Sequence, residues 1–213
     1  TYYDHNAFFR NHENIESFWR ELLHYDALIM TKDIFELWTT LTYLATVTSR
    51  IKVVANVVCI NFRAPSIVAH AGATLDVICN GRLELGLGTG GDAEEALAFG
   101  LPNPGKPSVR AEKLREYVQI IKMMWTEDAP SFEGKYYRIK GAVCNPKPLQ
   151  KPHPPINIAG RYRGTLRVVA EHADIYTPND VFGTPSALKI LKQRHDMLRE
   201  ECEKVGRDYG EIE

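Results

Sequence analysis

Apolar residues recur along this chain in two spacings, and the two alternate. From Phe35 to Thr48 they fall at helical intervals (Phe35, Trp38, Leu41, Leu44, Ala45), and Thr46-Val-Thr-Ser-Arg50 closes the segment. Ile51–Ile60 is a nearly continuous β-branched run, the pattern of a strand buried on both faces. Pro65 suits the first turn of a helix, which is predicted to run to about Cys79 and to break at Asn80-Gly81. Leu83–Leu87 has apolar residues at every second position and reads as a short strand running into Gly86, Gly88, Gly90 and Gly91.

The second half repeats the alternation. Ala93–Phe99 reads as a short helix, and Pro102, Pro104 and Pro107 mark a loop. Val109–Trp125 carries the clearest amphipathic stripe, through Leu114, Val118, Ile121 and Trp125. Phe132–Arg138 is a small hairpin around Gly134, and Pro146–Pro155 an extended connection. Ile156–Ala159 is a buried strand followed by a glycine-containing loop, Gly160–Gly164. A helix over Thr165–Ala173, a strand at Ile175-Tyr176 and a long helix over Pro185–Val205 complete the pattern. Residues 1–30, rich in aromatics and histidine, read as loop with a helical piece around Ile15–Tyr25. Strands separated by helices imply parallel βα units in one domain spanning 1–213, and glycine loops after separate strands favour a barrel over an open sheet.

Composition narrows the function only by exclusion. With 44% hydrophobic and 25% charged residues and a formal net charge of -1, the chain has no electrostatic case for binding nucleic acid or an anionic membrane. No apolar run approaches the length of a membrane span. Cys59, Cys79, Cys144 and Cys202 lack paired spacing, which argues against zinc and for reduced thiols in the cytoplasm. His70, His153, His172 and His195 have no metal-ligand spacing either.

Two loops carry candidate chemistry. Glycines at a strand end strip side chains away, so that backbone can approach a ligand closely; a plain tight turn needs the same residues. Gly86–Gly91 does not fit the spacing of a dinucleotide fingerprint. Gly160-Arg-Tyr-Arg-Gly164, opening a helix at Thr165, is the better phosphate site: helix N-terminal N–H groups carry partial positive charge, and Arg161 and Arg163 add full charges. Asp92, Glu94 and Glu95 at a helix start read as capping and dipole features, with an acid role as the alternative.

Collinear segments along most of the chain resemble the bacterial luciferase-like family, and within it the coenzyme F420-dependent class. They are Tyr3-Asp-His5, Trp38-Thr-Thr-Leu41, Thr48-Ser-Arg50, Arg63-Ala-Pro65, Ala73-Thr-Leu-Asp76, Asn80-Gly-Arg82, Leu83–Gly90, Phe132–Tyr137, Asn145-Pro-Lys-Pro148, Pro152–Ile156, Thr165-Leu-Arg167 and Ala173-Asp174. The resemblance implies a TIM (β/α)8 barrel, dimeric, with a cofactor ring across its strand ends. A full member has one more strand and helix before Tyr3 and at least one more βα unit after Glu213, so this chain is expected to hold strands two to seven of eight, as a fragment of a longer product. A shortened homologue is the alternative.

By the same resemblance, His5 is the expected catalytic residue, a proton donor or hydrogen-bond partner at the reacting face. Asn56-Val57 is expected to be joined by a non-proline cis peptide behind the ring. Gly88, Thr89, Gly90 and Gly91 would border the cofactor, and Gly160, Arg161, Arg163, Gly164 and Thr165 would cradle its phosphate. Some sugar-phosphate-oxidising members carry a glutamate where this chain has Gly91. The implied function is hydride transfer between F420 and a small organic substrate, without a metal. The alternatives are an FMN-dependent monooxygenase and a non-catalytic flavin-binding protein.

Overall fold

The computed structural model describes residues 35–178 and 186–213. Its elements are α1 (Leu37–Val47), β1 (Val53–Cys59), α2 (Pro65–Ile78), β2 (Leu83–Gly88), α3 (Ala93–Ala98) and α4 (Pro107–Thr126). The hairpin strands β3 (Phe132–Glu133) and β4 (Arg138–Ile139) follow, then β5 (Ile156–Gly160), α5 (Arg163–His172), β6 (Ile175–Pro178), α6 (Ala187–Val205) and a 3-10 turn, Tyr209–Glu211. The expected helical piece around Ile15–Tyr25 lies outside the described residues.

The main sheet has the order β1-β2-β5-β6, all parallel, and the antiparallel pair β3-β4 stands apart from it. Strand order therefore follows chain order without reversal. Right-handed crossovers place each connecting helix on the same side of such a sheet, which is the construction of a barrel wall; a doubly wound sheet needs a reversal. Glu213 extends the order: it accepts from the Tyr176 N–H at 2.9 Å and donates to the Asp174 carbonyl at 3.0 Å, in parallel register beside β6. Among the described residues the sheet is an open arc, not a closed ring.

One face of the arc is the helix-packed core. Leu83, Leu85, Leu87, Ile156, Ile158 and Tyr176 alternate onto it and meet Leu114, Ile121 and Trp125 of α4 and Leu166 and Val169 of α5. Trp125 also donates from Nε1 to the Ala69 carbonyl at 2.8 Å, tying α4 to α2. The opposite face, which a barrel turns inward, carries a polar row. Asn157 on β5 donates to Glu84 on β2 (3.2 Å), and Thr177 on β6 donates to Asn157 (2.9 Å).

Several boundaries differ from the sequence reading by one or two residues, and two of them bear on the site. Pro107 is the first residue of α4 rather than part of the preceding loop, a position where its fixed φ and missing N–H cost nothing. The helix expected from Thr165 begins at Arg163.

Candidate functional site

The carboxyl ends of β1, β2 and β5 meet along one edge of the arc, and the sequence-predicted binding residues divide between its two sides. On β1 the Asn56–Val57 peptide is cis, and the ladder with β2 loses register between Ala55 and Val58. The bulge lies directly against β2. A Cβ on Gly86 would sit closer than 3.0 Å to the Ala55 carbonyl oxygen, and one on Gly88 would meet Val57 Cγ2 at 2.7 Å. Glycine spacing in β2 is thus required first by the chain's own bulge.

Beyond the strand, Thr89 is half-buried and donates to the Gly90 carbonyl at 3.2 Å. Gly91 is exposed, and the Arg110 guanidinium from the first turn of α4 occupies the space where its side chain would start, about 3.1 Å from the ideal Cβ position. Arg110 also donates to the Gly105 carbonyl at 3.1 Å. This brings a cation to the glycine loop that sequence spacing gave no means of placing there. Asp92 caps α3, accepting from the Glu94 and Glu95 N–H groups at 2.9 and 3.0 Å, which is the capping reading of that acidic cluster.

Across the edge, β5 ends at Gly160 and α5 starts at Arg163 with Tyr162 as its cap residue, which supplies no side-chain cap. The N–H groups of Arg163 and Gly164 have no acceptor among the described residues, whereas those of Thr165 and Leu166 both donate to the Tyr162 carbonyl. The Thr165 N–H is thus taken up within the turn itself. Its side chain is buried over Gly160, closer than 3.0 Å to where a Cβ there would stand. Arg163 is engaged by α6, contacting Glu200 at 2.7 Å and Glu201 at 2.9 Å. Arg161 lies on the rim, its guanidinium 4.9 Å from the centre of the Tyr162 ring. Of the two arginines expected at a phosphate, Arg163 is held by carboxylates of α6.

A cleft of about 310 Å³ opens beside the β1–α2 loop, lined by Asn61, Phe62, Arg63, Lys113, Tyr136 and Tyr137 among others. Burial pushes the Tyr137 phenol up to about 12, with Glu116 and Cys59 adding to the effect, so it stays protonated at neutral pH. Arg63 pairs with Glu36 at 2.7 Å. None of the residues predicted for the cofactor lines this cleft.

The histidines divide by environment. Burial, with Lys122 next, lowers His172 to about 4, so its 3.9 Å approach to Glu171 is not an ion pair at neutral pH. His195 Nδ1 lies 2.7 Å from the Tyr209 hydroxyl. Among the described residues no group of His, Cys, Asp and Glu could hold a metal ion, and no helix is long and apolar enough to cross a membrane. His5 lies outside the described residues.

Residues 20–213 match the profile of the Luciferase-like monooxygenase family. Pyrimidine monooxygenase RutA of Acinetobacter baylyi is 34% identical over 178 residues, covering 81% of this chain and 46% of that protein. F420-dependent glucose-6-phosphate dehydrogenase of Kineococcus radiotolerans is 33% identical over 174 residues, covering 81% of this chain and 50% of its own. Among solved structures, the coenzyme F420-dependent tetrahydromethanopterin reductase of Methanopyrus kandleri superposes with a TM-score of 0.73 at 25% identity, over 84% of this chain and 53% of that one. The chain spans about half the length of the curated relatives it matches.

Proposed function

The chain belongs to the luciferase-like monooxygenase family, and from that premise we propose that its strand-end edge binds coenzyme F420 and serves hydride transfer to or from a small organic substrate. The observation that carries this reading is the pairing of two features on one carboxyl edge. The bulged Asn56–Val57 segment over glycine-bearing β2 gives a side-chain-poor floor for a planar ring. Facing it, the open N–H groups of Arg163 and Gly164 at the start of α5, with Arg161 on the rim, suit a phosphate. The bound deazaflavin would supply the hydride chemistry at its C5 position; the chain's residues would hold and orient it. Asn56, Val57, Gly88, Thr89, Gly90 and Gly91 would border the ring side, Gly160 and Gly164 would shape the phosphate turn, and His5 would handle the proton.

FMN with a monooxygenase reaction is the second reading, favoured by the relation to a pyrimidine monooxygenase. Visible absorbance and fluorescence titrations of the full chain with F420 and with FMN separate the two. Saturable binding of F420 is expected; tight FMN binding with none for the deazaflavin would overturn the first reading.

A homodimer is proposed from the exposed apolar residues of the two outer helices, Tyr43 and Val47 on α1 and Ile67, Val77 and Ile78 on α2. None of the four cysteines forms a disulfide and all are buried, which suits the reducing conditions of the cytoplasm, where we place the protein.

A further inference from the structure

The turn between β5 and α5 is held from behind by a residue that its own sequence does not contain. Gly160 ends β5, opposite Pro178, the last residue of β6. A carbonyl at a strand end that lacks a donor is free to turn its oxygen toward the start of α5. An oxygen there would put partial negative charge beside the open N–H groups of Arg163 and Gly164. The buried Tyr176 hydroxyl donates to the Gly160 carbonyl at 3.0 Å and so holds that oxygen back. Tyr176 is itself steadied by the edge of the His195 ring, 5.7 Å between centroids, and His195 by Tyr209 at 2.7 Å. Burial pushes the phenol up to about 12, so it remains a donor through the neutral range.

We propose that Tyr176 is a positioning residue for phosphate recognition: its hydroxyl holds the Gly160 carbonyl back, so that the turn presents N–H donors to the cofactor phosphate. This rests on the cofactor reading above. It assigns to β6, with α6 and the terminal turn behind it, control of the anion site.

The test uses the full chain and cofactor pairs that differ in the phosphate: FMN against riboflavin, and F420 against its phosphate-free deazaflavin core, titrated by fluorescence. Tyr176→Phe keeps the ring and removes the hydroxyl. It is expected to weaken the phosphate-bearing member about tenfold, the scale of one hydrogen bond, and to leave the phosphate-free member unchanged. His195→Ala, remote from the turn, is expected to give the same selective loss at roughly threefold, so the test survives if Tyr176→Phe folds poorly. An unchanged affinity in both variants, or an equal loss for both members of a pair, overturns the positioning role. If the wild-type chain itself does not distinguish the members of either pair, the phosphate reading fails, and this one with it.

Discussion

Gly86→Ala is expected to destabilise the fold by at least ~3 kcal/mol, the upper end of what overpacking a well-filled site costs. Gly86 is fully enclosed in β2. An added methyl would press on the Ala55 carbonyl oxygen and the Asn56 Cα, which are backbone atoms of the neighbouring strand and cannot rotate away. Relief requires β1 to shift where it bulges. Gly88→Ala serves as the contrast, since its methyl would meet the Val57 side chain, a contact that a rotamer change can ease. A cost of about 1 kcal/mol is expected there. Urea unfolding of both variants checks the pair. Equal costs would mean that the bulge does not press on β2 as described.

Asp76→Ala is expected to cost about 3 kcal/mol, through donors left without acceptors in a partly buried site. Asp76 is fully buried on α2. One carboxylate oxygen accepts the Leu149 and Gln150 N–H groups at 2.8 and 3.1 Å, and the other accepts Gln150 Nε2 at 2.7 Å. Gln150 in turn donates to the Leu83 carbonyl at 2.8 Å. The carboxylate therefore ties α2 to the proline-rich connection that delivers the chain into β5, and so to the turn at Gly160. Asp76→Asn keeps one acceptor oxygen for the two backbone donors and turns an amide toward Gln150, so roughly half that loss is expected. Unfolding curves for the two variants decide it: an Asn variant as unstable as the Ala variant would show that the backbone bonds are not what the carboxylate contributes.

The elements were legible where burial alone shapes a segment. The β-branched run ending at Ile60 and the stripe through Leu114, Val118, Ile121 and Trp125 are patterns only a buried strand and a packed helix produce. Boundaries were less legible where local signals are ambiguous. Pro102, Pro104 and Pro107 look alike in sequence, yet only Pro107 starts a helix. Arg-Tyr-Arg-Gly contains no capping side chain, so nothing marks Arg163 as the first residue of α5.

The site itself was half legible. The resemblance placed the cis peptide at Asn56–Val57, where the structure has it. The glycines were visible as glycines, but the strand pressing on them was not, because Ala55 and Gly86 meet only through the sheet register. Arg163 read as a free cation since its partners, Glu200 and Glu201, lie 37 and 38 residues later on another helix. Tyr176 sits in a short apolar-looking strand with no local sign of its bond to Gly160. Asn157 carries a local sign of the polar row: a polar residue inside a buried apolar run calls for partners such as the Glu84 and Thr177 it has.

On the reading proposed above, the carboxyl edge between the β1 bulge and the start of α5 holds a phosphate-bearing cofactor. Amide hydrogen exchange of the full chain, with and without saturating F420 or FMN, tests it most directly. Slowed exchange is expected at the Arg163 and Gly164 amides and along Gly88–Gly91, with little change around the cleft of Arg63, Lys113 and Tyr136. Protection confined to that cleft, with the start of α5 unaffected, would contradict it.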